Sequence, residues 1–283
     1  MAVMRKHSNY YVKIRAIRTV KMIFLSLFAV STLFPFFWVL LSSFKTTQEI
    51  YGHPFALPEK WMFSNYVDAW KGALINYTLV NSLIYTVLSV FAVLVVSSMA
   101  AYIIARFRHG RILQGYFAFG IMVPIHAVII PLNLLFKKMG LTNTRLSLII
   151  AFVVLNTSFS IFIISAFMKQ LPRDIEEAAI IDGCSRVQMF VKIVLPICKS
   201  ALATAGTLTF INCWNDLLLS LTLISTSTKN TLNYSVYSLK SEFISNYGTI
   251  TAGIIILIVP VLLAYCIFQE QIIKGMVSGA VKG

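Results

Sequence analysis

Two sets of residues have the types and spacing to do work in this chain of 283 residues. The first surrounds Asp216, the only acid that falls inside one of the long apolar stretches. On a continuous helix, Thr209, Asn212, Asp216 and Ser220 fall at i, i+3, i+7 and i+11 and make one polar stripe. Asn156 and Ser160, spaced i, i+4 in the preceding apolar stretch, are second candidates. Hydroxyls, amides and one carboxylate offer hydrogen bonds to a polar solute. The second set lies in the loop 169–199, where a small-residue face and an apolar stripe are shaped to dock on another surface. Catalysis has no candidates. The chain contains no G-x-x-x-x-G-K-[ST], no H-E-x-x-H and no G-x-S-x-G, and no paired acids occur in the apolar stretches. Cys184, Cys198, Cys213 and Cys266 show no C-x-x-C spacing and read as free thiols.

The elements that must position these residues follow from composition. Hydrophobic residues make up 58% of the chain and charged residues 12%. A soluble domain carries roughly 45–50% and about 25%. A soluble enzyme, a disordered chain and a nucleic-acid-binding domain are therefore poor fits. A membrane-spanning helix needs about 20 apolar residues. Six stretches qualify: Met22–Phe44, Gly72–Ala105, Ile112–Phe136, Leu146–Met168, Ser200–Thr228 and Phe243–Gln269. The first is too long for a secretory signal core and lacks a small-x-small site before Lys45, so it reads as a retained helix. Pro124 and Pro131 in the third stretch and Pro260 in the sixth predict kinks. Lys and Arg number 16 on the termini and even-numbered loops and eight on the others. That bias predicts a multi-pass protein with both termini in the cytoplasm. The net charge of +14 is then mostly a topology signal. Residues 1–21 form a basic arm, 22–268 the six-helix domain and 269–283 a C-terminal tail.

The loop 169–199 reads as two short helices. Pro172 and an Asp174–Glu177 capping-box variant open the first, and Gly183 stops it. Ile175, Ala178, Ala179 and Asp182 share one face. Ser185 and Gln188 cap the second, Val187, Phe190, Val191 and Val194 make its apolar stripe, and Pro196 closes it. Packing against the chain's own helices is the plainer alternative to docking on a partner.

The spacing of this loop resembles a known signature. Glu177-Ala178-Ala179, three residues, Gly183, nine residues and Ile193-Val194-Leu195-Pro196 are similar to the E-A-A-x3-G-x9-I-x-L-P pattern of ABC-importer permeases, with all seven fixed positions matched. The rest looks like the maltose-type carbohydrate branch of that family, the MalG-like inner-membrane subunit. Trp38–Lys45 (W-V-L-L-S-S-F-K), Pro58, Asn65-Tyr66, Asn81-Ser82-Leu83, Ala101-Tyr102, Arg106-Phe107, Gly140–Thr144, Trp214-Asn215-Asp216 and Gly279–Gly283 carry the likeness over nearly the whole length.

The resemblance implies an all-α integral membrane protein with six transmembrane helices, a type I ABC importer permease of the bacterial cytoplasmic membrane. Implied partners are a second homologous permease, two ATP-binding cassette ATPase subunits, an extracytoplasmic solute-binding protein and a carbohydrate. No nucleic acid and no cofactor of its own are implied, since ATP binds to the ATPases. Glu177 would pair with a basic group of the ATPase, Ala178 and Ala179 would allow close seating, and Gly183 would make the bend; Ile193, Leu195 and Pro196 complete the coupling motif. The tail from Lys274 to Gly283 would reach toward the ATPase pair.

Asn156, Ser160, Thr209, Asn212, Asn215, Asp216 and Ser220 are the candidate substrate path. At 1.5 Å per residue, Asp216 lies roughly 24 Å past Ser200, near the outer end of a core about 30 Å thick. A charge there faces a partner or a wet cavity. Alternatively, Asp216 reaches the interface and Trp214 anchors there. His126 reads as a proton relay or a helix–helix hydrogen bonder. A sparsely charged, polar interior suits a di- or oligosaccharide. The alternative cargo is another small polar solute such as glycerol-phosphate, although no Arg or Lys lies inside a span to greet an anion. An ion-driven secondary transporter would need intramembrane acids or repeated halves, and neither is evident.

Overall fold

The structure is a computed structural model that describes residues 2–107, 110–240 and 246–280. The expected start of the sixth span at Phe243, Arg108 in the second basic loop, and Lys282 and Gly283 of the tail lie outside the described residues. α1 (Ala2–Ser42) carries the basic arm and the first apolar stretch in one helix. The short α2 (Thr47–Gly52) and α3 (Ser64–Gly72) lead to α4 (Ile75–Arg106). The third stretch divides into α5 (Gly110–Met122) and α6 (Ile125–Lys138), and α7 (Arg145–Met168) is the fourth. The loop after α7 holds α8 (Asp174–Ile181), α9 (Arg186–Met189), a π turn over Phe190–Val194 and α10 (Leu195–Ile197). α11 (Lys199–Trp214), α12 (Leu218–Leu223), a 3-10 turn at Ser227–Lys229, α13 (Leu232–Tyr237) and α14 (Tyr247–Ala280) complete the described chain.

Among the described residues, four helices are long and apolar enough to cross a membrane: Ile17–Ser42, α4, α7 and Tyr247–Ile267. Two bent pairs, α5 with α6 at 94° and Arg186–Ile197 with α11 at 75°, raise the number to as many as six if each pair is counted as one span. The all-α expectation of six spans thus holds with two spans bent.

The expected kinks differ from one another. Pro124 ends the ladder of α5 and caps α6, because the residue before a proline is pushed out of helical geometry. Pro131 and Pro260 stay inside helices that continue through them. The fifth stretch is not one helix: it breaks at Asn215–Leu217 and resumes as α12.

α4 and α7 pack side by side at the centre. The two helices bury small residues, among them Ser89 and Ser97 of α4 and Ala151 and Ser165 of α7, which let backbones approach closely. Hydroxyls bridge the seam: Ser97 Oγ donates to the Thr157 carbonyl at 3.3 Å, and Ser89 Oγ to that of Ile149 at 3.5 Å. α11 crosses both helices and packs on α14. Trp214, 1% exposed, stacks on Phe210 and donates its indole N–H to the Leu257 carbonyl of α14 at 3.2 Å. It is a core residue, which removes the expectation that it anchors at an interface.

The end of the bundle farther from Arg106 is tied by polar knots. Lys45 is 1% exposed, and its ammonium donates to the carbonyls of His53 (3.0 Å) and Pro54 (3.3 Å) at the C-terminal end of α2. Asn65 donates to the Ser43 and Lys45 carbonyls, both at 2.9 Å. Asn81 donates to the Thr228 carbonyl at 2.7 Å, Tyr85 to that of Lys229 at 2.8 Å, and the Leu232 N–H donates to Ser82 Oγ at 2.7 Å. These bonds hold the segment after α12 against α4.

Candidate functional site: an elbow and a cavity

The loop 169–199 folds into an elbow at the Arg106 end of the bundle. Gly183 stops α8 with φ +79°, a left-handed conformation that glycine adopts without strain. Ser185 and Gln188 form the expected capping box. The Asp174–Glu177 box does not form. Asp174 is already inside α8, the cap position falls on Arg173, and the Glu177 N–H donates to the Arg173 carbonyl at 3.0 Å. The acids Asp174, Glu176 and Glu177 instead occupy the first turn, where the helix dipole favours negative charge. Pro196 does not close the second helix. It sits early in α10, where a missing N–H is tolerated, and the chain turns by 75° at Cys198 instead.

The elbow has two faces. Ala179, Met189, Val194 and Cys198 are buried against Ala101 of α4, Ile164 and Met168 of α7 and Ala205 of α11, with Ile193 and Leu195 packed at the edge. The other face holds Glu177, Ala178, Ile180 and Val187, all exposed, and Ile181 at 86% exposure. The two readings of the loop therefore divide between its faces. Ala179 packs inward while Ala178 lies open. The expected stripe of Val187, Phe190, Val191 and Val194 also divides: Val194 is buried, Phe190 is half-buried, and Val187 and Val191 are exposed, with the π turn shifting the register after Met189. An anchor that sequence reasoning missed is the ion pair of Arg106 with Glu176, at 2.5 Å.

The second feature is a cavity of about 770 Å³ beside the α5–α6 bend. It lies between α6, α7 and the broken end of α11. Asn156, Asn212, Asn215 and Asp216 line it, with Ser158 and the rings of Phe152 and Phe159. Asn212 donates to the Asn156 side-chain carbonyl at 3.0 Å, and Asn156 donates to the Phe152 carbonyl at 2.8 Å. Asp216 accepts from the N–H groups of Leu219 (3.2 Å) and Ser220 (3.1 Å) and so starts α12. The single polar stripe expected from Thr209 to Ser220 is broken there, since the carboxylate takes over backbone donors that a continuous helix would bond internally. Ser160 and Thr209 are buried in the α7–α11 seam, 3.3 Å apart, and Ser220 Oγ accepts from the Thr231 N–H at 3.2 Å. Four of the seven path candidates therefore meet at the cavity, and three hold neighbouring segments together. His126 is exposed on α6. The cavity carries amides, one carboxylate and two aromatic rings, and no cation is among the described residues that line it.

The model of the binding-protein-dependent transport system inner membrane component matches residues 94–276, a stretch that contains both elbow and cavity. The chain belongs to this family. The permease is 36% identical over 259 residues to the diacetylchitobiose uptake system permease protein NgcG of Streptomyces coelicolor, covering 90% of this chain and 86% of that one. It is 33% identical over 255 residues to the trehalose transport system permease protein SugB of Mycobacterium tuberculosis, covering 89% and 93%. Among solved structures, it superposes with a TM-score of 0.79 on a chain of a bacterial ABC transporter involved in the import of the acidic polysaccharide alginate, at 25% identity and covering 90% of this chain and 96% of that one. The permease is a type I ABC importer subunit built for transport.

Proposed function

We propose that this permease carries a carbohydrate, a di- or oligosaccharide, into the cell through the cavity at the α5–α6 bend, driven by ATPase subunits that seat on the open face of the elbow. The observation that carries the proposal is the cavity lining. Sugars are bound by hydrogen bonds to hydroxyls and by apolar contact with aromatic faces, and Asn156, Asn212, Asn215 and Asp216 beside Phe152 and Phe159 supply both. The names of NgcG and SugB, a diacetylchitobiose and a trehalose permease, support the same solute class. An anionic solute such as a glycerol-phosphate fits less well, because the described residues of the lining include a carboxylate and no cation.

In this reading Glu177, Ala178 and Gly183 form the seat for the ATPase, and Ile193, Leu195 and Pro196 connect it to α11. The elbow and both termini face the cytoplasm, in keeping with the basic residues gathered at that end. A second permease pairs with this one, two ATPases bind below and a solute-binding protein delivers the sugar from outside. The test is reconstitution with those partners and a screen of carbohydrates for stimulated ATP hydrolysis. Stimulation by a neutral oligosaccharide supports the proposal. Stimulation by glycerol-phosphate alone contradicts it.

A further inference from the structure

Arg106 and Glu176 form the one ion pair among the described residues. It joins the last turn of α4 to the first turn of α8, with Arg106 Nε 2.5 Å from Glu176 Oε1 and side chains only 10% and 13% exposed. Two neighbours reinforce it. Arg106 Nη2 donates to the Leu171 carbonyl at 3.2 Å, on the segment leading into α8. Tyr102 Oη donates to Glu176 Oε2 at 3.4 Å, while its ring tilts against Phe190 of the π turn at a centroid distance of 5.2 Å. α4 thus grips the elbow before α8, on α8 and after α9. A pair this well shielded is not silent when one partner is lost, because the other charge is left uncompensated.

The rest of α4 gives the grip its consequence. α4 is a single helix of 32 residues with no proline in it. At its far end Asn81, Ser82 and Tyr85 hold the segment 228–232, which follows α12. α11, by contrast, leaves the elbow through a 75° bend and stops at the Asp216 break. Of the helices that meet the elbow, α11 is bent and broken, while α7 and α4 run without a break, and α4 alone of these two is held to the elbow by an ion pair.

We infer that Arg106 and Glu176 form a clasp that makes α4 move with the elbow, so that the ATPase stroke enters the bundle along α4 as well as through α11. The inference rests on the coupling role proposed above for the elbow. Arg106 is a positioning residue here: its side chain is 10% exposed and bonded to Glu176, and it acts through Glu176 and α8.

The test uses the full complex in proteoliposomes and reads the ATP hydrolysed per solute carried. Arg106→Gln and Glu176→Gln leave the exposed Glu177 face unaltered, so ATPase co-purification stays at the wild-type level. The clasp predicts that ATP used per solute rises by at least about five-fold, the lower end of a lost coupling interaction. It predicts that the swap Arg106→Glu with Glu176→Arg returns the ratio to within about two-fold of wild type. A wild-type ratio in either single variant, or a swap as poor as the singles, overturns it. Where a variant fails to assemble, the otherwise wild-type complex decides: spin labels at Ile103→Cys on α4 and Asp174→Cys on α8 keep one separation in the ATP-bound and nucleotide-free states. A separation that changes with nucleotide overturns the clasp. Failure of the underlying coupling role has another signature, since the wild-type chain would then neither co-purify an ATPase nor respond to carbohydrate.

Discussion

The side-chain amide of Asn212 donates to the side-chain carbonyl of Asn156 at 3.0 Å, across the seam between α11 and α7 and at the wall of the cavity. Asn156 is held in register by its own bond to the Phe152 carbonyl at 2.8 Å. The pair presents fixed amides toward the space that a sugar would occupy. Asn212→Ala removes one of them and leaves Asn156 without its donor. The half-saturating solute concentration for uptake should rise roughly 3- to 10-fold, the range set by one lost hydrogen bond. ATPase co-purification should not change; concentration-dependent uptake checks the first outcome and affinity purification of the complex the second.

Asp216 separates two roles that the sequence left mixed. Its carboxylate caps the turn into α12 through Leu219 and Ser220. Asp216→Asn keeps one acceptor oxygen and should retain most uptake. Asp216→Ala loses both bonds and should cost about 1 kcal/mol of stability as a lost helix cap does. Thermal unfolding in detergent and initial uptake rates distinguish the two variants. Severe loss of uptake in the Asn variant with unchanged stability would assign the charge itself to gating.

The elbow predicts an uncoupled phenotype. Glu177→Ala removes the exposed acid from the seat. Gly183→Pro demands φ near −65° where the backbone holds +79°. Both should leave the membrane helices folded while ATP-driven uptake is lost and the ATPase no longer co-purifies. Normal uptake in a variant that has lost its ATPase counts against the assignment.

At the far end, α14 meets the 43–65 knot without room to spare. A Cβ on Gly248 would stand 2.2 Å from the Lys45 carbonyl oxygen and 2.5 Å from Asn65 Nδ2. The first is backbone and cannot swing away. Gly248→Ala should destabilise the protein by about 1–3 kcal/mol through overpacking, visible as a lower Tm.

Much of this architecture was legible from the sequence, and the exceptions have physical causes. Long apolar runs and the Pro, Gly and Ser signals gave the spans, the Gly183 stop and the Ser185 cap. The Asp216 break was not visible, because a short polar interruption in an apolar run also fits a continuous amphipathic face. The π turn at Phe190–Val194 has no periodicity of its own to read, and across it Val194 is buried while Val187 and Val191 are exposed. The Arg106–Glu176 pair joins residues 70 positions apart, beyond any local pattern. Asn65, Asn81 and Asn143 stood in the sequence as marks of resemblance without a role. In the fold they tie loops: Asn143, at φ 58°, accepts from the N–H groups of Ser225 (3.2 Å) and Thr226 (3.1 Å).

Glu49 sets a pH dependence outside the spans. The Thr46 and Glu59 N–H groups donate to its carboxylate at 2.8 and 2.9 Å and hold its pKa below the ordinary carboxylate value. Since the folded pKa is the lower one, this contribution is present above the unfolded pKa and lost as pH falls through the folded one. Glu49→Gln should lower Tm at pH 7, and the gap to wild type should close as pH is taken down toward 3. A gap that is constant across that range contradicts the assignment.

ATP-driven motion of the elbow should move a carbohydrate through this bundle. The direct measurement is accumulation of a labelled oligosaccharide in proteoliposomes holding the complete complex, with and without ATP, for the wild type and Glu177→Ala. The prediction is accumulation that requires ATP and the binding protein in the wild type and is absent in the variant. Accumulation that persists without ATP, or that follows a proton or sodium gradient instead, contradicts it.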